Sequence, residues 1–253
     1  MSMNRIIINA DDCGYSTHVN DHIRNAILAE KVTSSTIIPN MNDFEGALKL
    51  FADFRDKISF GIHLNLTEGE PLLPSPELLD FGFYKEEDGR VVFNGKRYRY
   101  RPLPSAVKSA IKAELNAQVM KLISSGVELS HIDSHHHIHT APFILPIVLQ
   151  VAKENSICRI RRAGDNFMGG SSLYKKIWMA ELRHYDKEIK TTDHFWGADE
   201  FLSSVDTNLI LNGNCVIELM THPGGKYHPE EEKLILDYCF KEDEYELINF
   251  KQL

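Results

Sequence analysis

The sequence predicts an α/β fold whose parallel sheet, covered by helices, curls into a barrel-like closure. Three observations predict it. Short apolar runs alternate with stretches of helical periodicity along most of the chain, the pattern of strand–helix units in a parallel sheet. About six or seven such units fit the chain, whose size is that of many barrels built as one domain. Four polar clusters each follow directly on an apolar run, at the carboxyl ends of strands, where parallel α/β folds carry their chemistry. A single domain over residues 1–253 is expected.

The elements follow in order. Ile6-Ile7-Ile8 is a buried-strand run. Residues 20–30 place Ile23, Ala26 and Ile27 on one helical face. Residues 35–38 form the next strand, and Asp43 is placed to cap a helix carrying Ala47, Leu48, Phe51 and Phe54. Residues 58–64 read as a third strand. Residues 105–124 are a clear helix, with Gly126 as its stop. A strand over 129–134 leads into a run of histidines. Pro142 opens a helix to about Glu154, 157–161 is a strand, and Ser171 or Ser172 starts another helix. A strong strand over 214–220 and a helix over 229–240 follow.

Residues 67–104 interrupt this rhythm with Pro71, Pro74, Pro76 and Pro102 and the turn pairs Asp88-Gly89 and Asn94-Gly95. Strands over 91–93 and 98–100 are expected to flank a turn there. An insertion of this length is expected to serve as a lid or binding loop.

Composition narrows the function. Apolar residues make up 43% of the chain, enough for a substantial core. The formal charge of −8 speaks against nucleic acid or an anionic membrane as partner, since both need a basic face. No apolar run is long enough to span a bilayer and no signal peptide is evident at the N-terminus, so a soluble, cytoplasmic protein is expected. Cys13, Cys158, Cys215 and Cys239 are scattered singly, which argues against thiolate zinc and a disulfide framework. Cys13 reads as a tolerated neighbour of the first acidic pair, not a nucleophile.

The densest chemistry is His131-Ile132-Asp133-Ser134-His135-His136-His137-Ile138-His139, which holds five of the twelve histidines. Packing alone does not call for imidazoles at that density, whereas a metal or acid–base site does. The run is central and interrupted, unlike a purification tag. If it stays extended, His135, His137 and His139 alternate with His136. His135 is the best single ligand candidate, and His137 and His139 are candidates for substrate contact. Asp133 either orients a ligating imidazole or makes a turn.

The other clusters are weaker one by one. Asp11-Asp12 follows the first strand and can serve as a helix cap, or as one metal ligand beside one base, because neighbours in an extended chain point opposite ways. His63 sits between Ile62 and Leu64, where a buried imidazole needs a partner. His222 precedes Pro223-Gly224-Gly225 and is either a turn residue or functional. Among Arg159, Arg161 and Arg162, Arg161 is the one expected to reach the site, as a substrate contact, an anion clamp or a partner for carboxylates. Trp178, Trp196, Tyr98 and Tyr100 can stack on a sugar ring or simply pack. Glu218 and Met220 read as structural, and His18, His22, His184, His194 and His228 as solvated.

Taken together, Asn9-Ala10-Asp11-Asp12-Cys13-Gly14, Gly61-Ile62-His63-Leu64-Asn65-Leu66, the histidine run from His131 and Thr221-His222-Pro223-Gly224 resemble the YdjC/ChbG family of carbohydrate deacetylases in order and spacing. Cys13 stands where the family has Phe. The resemblance implies a deformed (β/α) TIM-like barrel of deacetylase type. It also implies one divalent metal on Asp12, His63 and His135, with Asp11 as the base. Mg²⁺, N-acetylated sugars such as chitooligosaccharides, and a homodimer come with the same resemblance. Two imidazoles and one carboxylate are softer than Mg²⁺ usually selects, so on donor chemistry alone Zn²⁺ or another transition metal fits better. His222 is the candidate general acid, since an amide nitrogen leaves only when protonated. The alternatives are another metal hydrolase, such as a phosphoesterase, and a non-catalytic sugar- or metal-binding protein.

Overall fold

A computed structural model of the chain describes residues 3–95, 101–163, 178, 180, 182, 188–203, 214–226, 229–238 and 245–253. The first strand, β1 (Asn4–Cys13), is buried on both faces. Alternate residues therefore enter different environments. Ile6, Ile8 and Ala10 join the main core with Ile23, Ala26 and Ile27 of α1 (Thr17–Leu28). Ile7 points the other way, into a small cluster with Val216, Ile248 and Phe250. The α1 helix begins where the Ser16 hydroxyl accepts from the Val19 N–H.

β2 (Ser34–Ile37), α2 (Phe44–Phe54) and β3 (Ser59–Leu64) repeat the unit. The insertion folds into a short helix, α3 (Pro76–Phe81), and a hairpin of β4 (Tyr84–Glu87) and β5 (Arg90–Phe93). The hairpin turns at Asp88-Gly89, where both residues have positive φ, 52° and 74°, as a two-residue turn of this kind requires. The expected strand over 91–93 is thus paired with β4, and the other expected strand, 98–100, lies outside the described residues. Next come α4 (Ser105–Ser124), β6 (Ile132–Ser134), a 3-10 turn over His135–Thr140 and α5 (Leu145–Glu154). β7 (His194–Gly197), α6 (Ala198–Ser203), β8 (Val216–Thr221), α7 (Pro229–Asp237) and β9 (Tyr245–Leu247) complete the set. The expected helix start at Ser171 or Ser172 also lies outside the described residues.

The sheet runs β6-β3-β2-β1-β8-β7 with every neighbour parallel. β9 pairs with the first residues of β1. Beyond β6 the regular ladder stops, and 157–161, expected as a strand, makes only isolated parallel bridges: Ile132 with Ile160, and Arg159 with Lys190. The chain just after Lys190 then joins β8 through the Asp193 N–H and the Val216 carbonyl. Backbone contacts thus carry the curled sheet round from β6 to β8, as the sequence predicts for a deformed TIM-like barrel.

The lower end is closed by the C-terminal segment. Phe250 is fully buried, stacks on His131 with ring centroids 3.5 Å apart, and donates its N–H to Ser59 Oγ. The opposite end, where β1, β3, β6 and β8 finish, carries the polar clusters.

Candidate active site

The two acidic residues at the end of β1 reach one cavity because the strand breaks there. Asp12 adopts φ 68°, and the β1–β2 register slips between Ala10 and Cys13. This turn undoes the opposite-sided arrangement of an extended pair. Both Asp11 and Asp12 line the cavity, of about 730 Å³.

β3 and β6 set the next pair. His63 Nδ1 donates to Asp133 Oδ1 at 2.6 Å, and Thr36 Oγ1 donates to the second oxygen of Asp133 at 3.0 Å. This fixes the His63 tautomer, leaving its Nε2 lone pair 3.2 Å from Asp12 Oδ1. Two acceptors that face each other at this distance call for a proton or a cation between them. Gly61 makes room for this layer: a Cβ there would lie 2.5 Å from the His131 ring.

The histidine run does not stay extended. It coils into the 3-10 turn, with His136 and His137 at φ 55° and 54°. The expected alternation is replaced by a different sorting. His135, His136 and His137 line the cavity, while His139 turns inward and is wholly buried. There His139 accepts from the Ser134 hydroxyl at 2.5 Å and donates Nε2–H to the Arg161 carbonyl. The placement of His139 as a substrate contact is corrected accordingly. His135 Nδ1 lies 2.8 Å from Asp12 Oδ1. Asp12, His63 and His135 therefore offer ligand atoms within 4.8 Å of one another. Their nitrogen-and-oxygen donor set fits a divalent metal, with a bias to transition ions.

Arg161 is also relocated. It is wholly buried behind Asp11 and does not line the cavity. Its guanidinium forks onto Asp11 at 2.6 and 2.7 Å, reaches Asp133 at 2.8 Å and donates Nε–H to Glu218 at 2.6 Å. Arg159 faces away and donates to the Lys251 carbonyl.

These contacts set the protonation states. Burial alone would raise the Asp11 carboxyl, but the guanidinium overrides it and holds Asp11 far below the usual carboxylate range. Asp12 is likewise held low, its burial outweighed by His135 and His63. Burial lowers His63, yet Asp133 and Asp12 raise it to about 10. Burial dominates at Glu218 and pushes it up to about 7 despite Arg161. It also pushes the Cys13 thiol up to about 12, which removes Cys13 as a nucleophile.

His222 follows β8 and lines the same cavity. Glu231, at the start of α7, accepts from its backbone N–H at 2.8 Å and its Nδ1–H at 3.0 Å. Burial depresses the imidazole, but the Glu231 hydrogen bond and the charges of Asp11 and Asp12 raise it to about 9. The neighbouring Glu232 braces the same turn, gripping His22 at 2.7 Å and the Gly224 N–H at 3.1 Å. His22 is therefore paired, and His18 lines the cavity; His184 and His228 lie outside the described residues. His194 stacks on Trp196.

Sequence reasoning missed Tyr15, Glu68, Phe195, Met220 and Glu231, all of which line the cavity. Their only sequence signal is proximity to a strand end or a helix start. Trp196 lines the cavity too, whereas Trp178 is buried, and Tyr98 and Tyr100 lie outside the described residues. Among the described residues no helix is long and apolar enough to cross a membrane.

The YdjC-like protein family matches residues 5–249. A carbohydrate deacetylase of Brevibacillus brevis is 36% identical over 87% of this chain and 81% of its own length. A carbohydrate deacetylase of Clostridium beijerinckii is 31% identical over the same shares. An Enterococcus faecalis V583 protein, provisionally described as a cellobiose-phosphate cleavage protein, superposes with a TM-score of 0.74 at 22% identity, covering 99% of both chains. That likeness shows the barrel fold. With the family matched across nearly its whole length, the chain belongs to the YdjC-like protein family.

Proposed function

We propose that this protein is a metal-dependent carbohydrate deacetylase that removes acetyl groups from N-acetylated, chitooligosaccharide-like sugars. The observation that carries the reading is one cavity shared by a metal-ligand group, Asp12–His63–His135, a carboxylate forked by Arg161, Asp11, and an imidazole held by Glu231, His222. Relatives named carbohydrate deacetylase, alike over most of both chains, supply the substrate class.

Asp12, His63 and His135 would hold the divalent ion, Mg²⁺ by family and Zn²⁺ or another transition ion by donor chemistry. Such an ion supplies Lewis acidity to the acetyl carbonyl and to a water. Asp133 holds His63 in the tautomer that leaves Nε2 available. Asp11 takes the proton of the attacking water. Its fork with Arg161 and the 2.8 Å hydrogen bond from Asn9 Nδ2 keep it ionised and aimed. The same contacts make it a weak base, so it holds the proton only in passing. His222, charged at neutral pH, hands a proton to the departing amine, and Glu231 keeps the ring aimed. Tyr15, Phe195, Trp196 and His137 wall the space beside these groups and offer ring faces to a sugar. The same reading makes the protein cytoplasmic and a homodimer.

The test is acetate release from a panel of N-acetylated mono- and disaccharides, with metal-stripped protein refilled with Mg²⁺ or Zn²⁺. Metal-dependent release that disappears in His135→Ala supports the reading. Metal bound to the chain with no acetate from any sugar overturns it in favour of another hydrolase or a binding protein.

A further inference from the structure

The inner face of α4 carries a carboxylate that the reaction chemistry does not use. Glu114 is fully buried, yet it makes no ion pair among the described residues. A buried carboxylate without a cation is costly unless N–H donors surround it. Three do. Oε2 accepts from the Leu73 N–H at 2.6 Å, and Oε1 accepts from the Leu72 N–H at 3.1 Å and from Gln118 Nε2 at 2.8 Å. A carboxylate accepts at both ends, whereas an amide would turn a donor towards one of these two neighbouring N–H groups. Glu114 thus pins the first part of the insertion onto α4.

Gln118, one turn further along α4, carries the hold to the end of β3. Its amide donates to the Asn65 carbonyl at 2.7 Å and accepts from the Asn65 N–H at 2.9 Å. The Asn65 side chain ties down the residues that follow. Its Oδ1 accepts from the N–H groups of Thr67 and Glu68 at 2.9 and 3.2 Å. Its Nδ2 donates to the Glu68 carbonyl at 2.8 Å and to Asn40 Oδ1 at 3.0 Å. Asn40, just after β2, donates to the carbonyls of Glu68 and Glu70 at 3.2 and 2.9 Å. The Glu68 backbone is therefore held from α4 on one side and from the loop after β2 on the other.

This frame ends at the cavity wall, where Glu68 is partly exposed. Its Oε2 accepts from the Tyr15 hydroxyl at 2.9 Å, and no hydrogen bond reaches Oε1 among the described residues. A fixed carboxylate beside an aromatic ring suits a sugar, whose hydroxyls donate to the charge while its apolar face meets the ring.

We propose that Glu68 is a sugar-binding residue and that Glu114, acting through Gln118 and Asn65, is the positioning residue that aims its carboxylate at a sugar hydroxyl. The ligand rests on the carbohydrate reading above; the positioning does not depend on what is removed from the sugar.

The experiment is a double-mutant cycle between Glu68→Ala and Glu114→Gln in the metal-loaded chain. It is read as kcat and KM for acetate release from diacetylchitobiose, and as the calorimetric Kd for chitobiose, which has no acetyl group to lose. Glu68→Ala is expected to raise KM and Kd roughly tenfold, as for one charge-assisted hydrogen bond, with kcat little changed. Glu114→Gln should raise both several-fold alone and add nothing to Glu68→Ala, because it acts through the same carboxylate. Asn40→Ala, in a partly exposed loop, loosens the same backbone from the other side. It should repeat the Glu114→Gln result, so a misfolded Glu114→Gln chain does not decide the outcome. An unchanged Kd in Glu68→Ala, an additive double variant, a loss confined to kcat, or no chitobiose binding to the native chain overturns the proposal. The expected cycle in Kd, with no acetate released from any sugar, supports it while sinking the deacetylase reading.

Discussion

Arg161 grips Asp11 with both terminal guanidinium nitrogens, at 2.6 and 2.7 Å, in a position closed to solvent. The same side chain touches Asp133 and Glu218, so one cation compensates three buried carboxyl groups. Removing one member of such a network leaves charge buried without a counterion. Arg161→Met should therefore destabilise the fold by about 3–5 kcal/mol, read as a lower midpoint in urea denaturation. A midpoint unchanged from the native chain would show that the network contributes nothing to folding.

The two neighbouring aspartates should separate in their effects. Asp12→Asn and His135→Ala are expected to lose the catalytic metal, and turnover with it. Asp11→Asn should keep the metal and lose at least 100-fold in kcat, the lower end of what general base catalysis contributes at about 10²–10⁴. Metal content per chain, measured beside acetate release, checks this. Near-native rates in Asp11→Asn would remove Asp11 as the base.

If His222 is the general acid, as proposed, it sets an alkaline limit on the reaction. Its pKa is raised to about 9, so the imidazolium form persists below that pH and activity should fall as pH rises through it. In Glu231→Gln the alkaline limb of kcat/KM should move down towards the ordinary histidine value of about 6.5. The linkage to stability has the same sign. The charge contribution of His222 is fully present below about 6.5 and is lost as pH climbs through about 9. A limb that stays in place in Glu231→Gln would leave His222 without this partner.

Gly61→Ala tests the tight packing beneath the site. The added methyl would meet the His131 ring at 2.5 Å, and that ring is pinned between Gly61 and Phe250. Overpacking of this kind costs about 1–3 kcal/mol, and the urea midpoint reads it. No loss would mean that the ring shifts freely.

Much of the frame was legible because strands buried on both faces carry continuous apolar runs, as at Ile6-Ile7-Ile8, and because helices such as α2 carry the period of 3.6. The shared address of Asp12, His63, His135 and His222 followed from parallel topology. What stayed hidden depends on contacts between distant residues. β7 and β9 are short and carry polar or aromatic residues, with no periodic signal of their own. The histidine run coils because His136 and His137 take left-handed backbones, which residue type did not announce. Arg161 sits behind Asp11, not beside substrate, and this became visible only once 157–161 was placed against β6. Glu231 follows a proline at a helix start and reads there as a favourable end charge, while its hold on His222 is tertiary.

The Phe250 stopper has a consequence for the order in which the molecule is made. The strands that carry Asp11, His63 and His135 emerge from the ribosome long before Phe250 does. Until that phenyl ring arrives, His131 lacks its stacking partner and Ser59 Oγ lacks the Phe250 N–H. Water can then enter the half-made barrel from below, so a nascent chain can own Asp11, His63 and His135 and still have a wet interior.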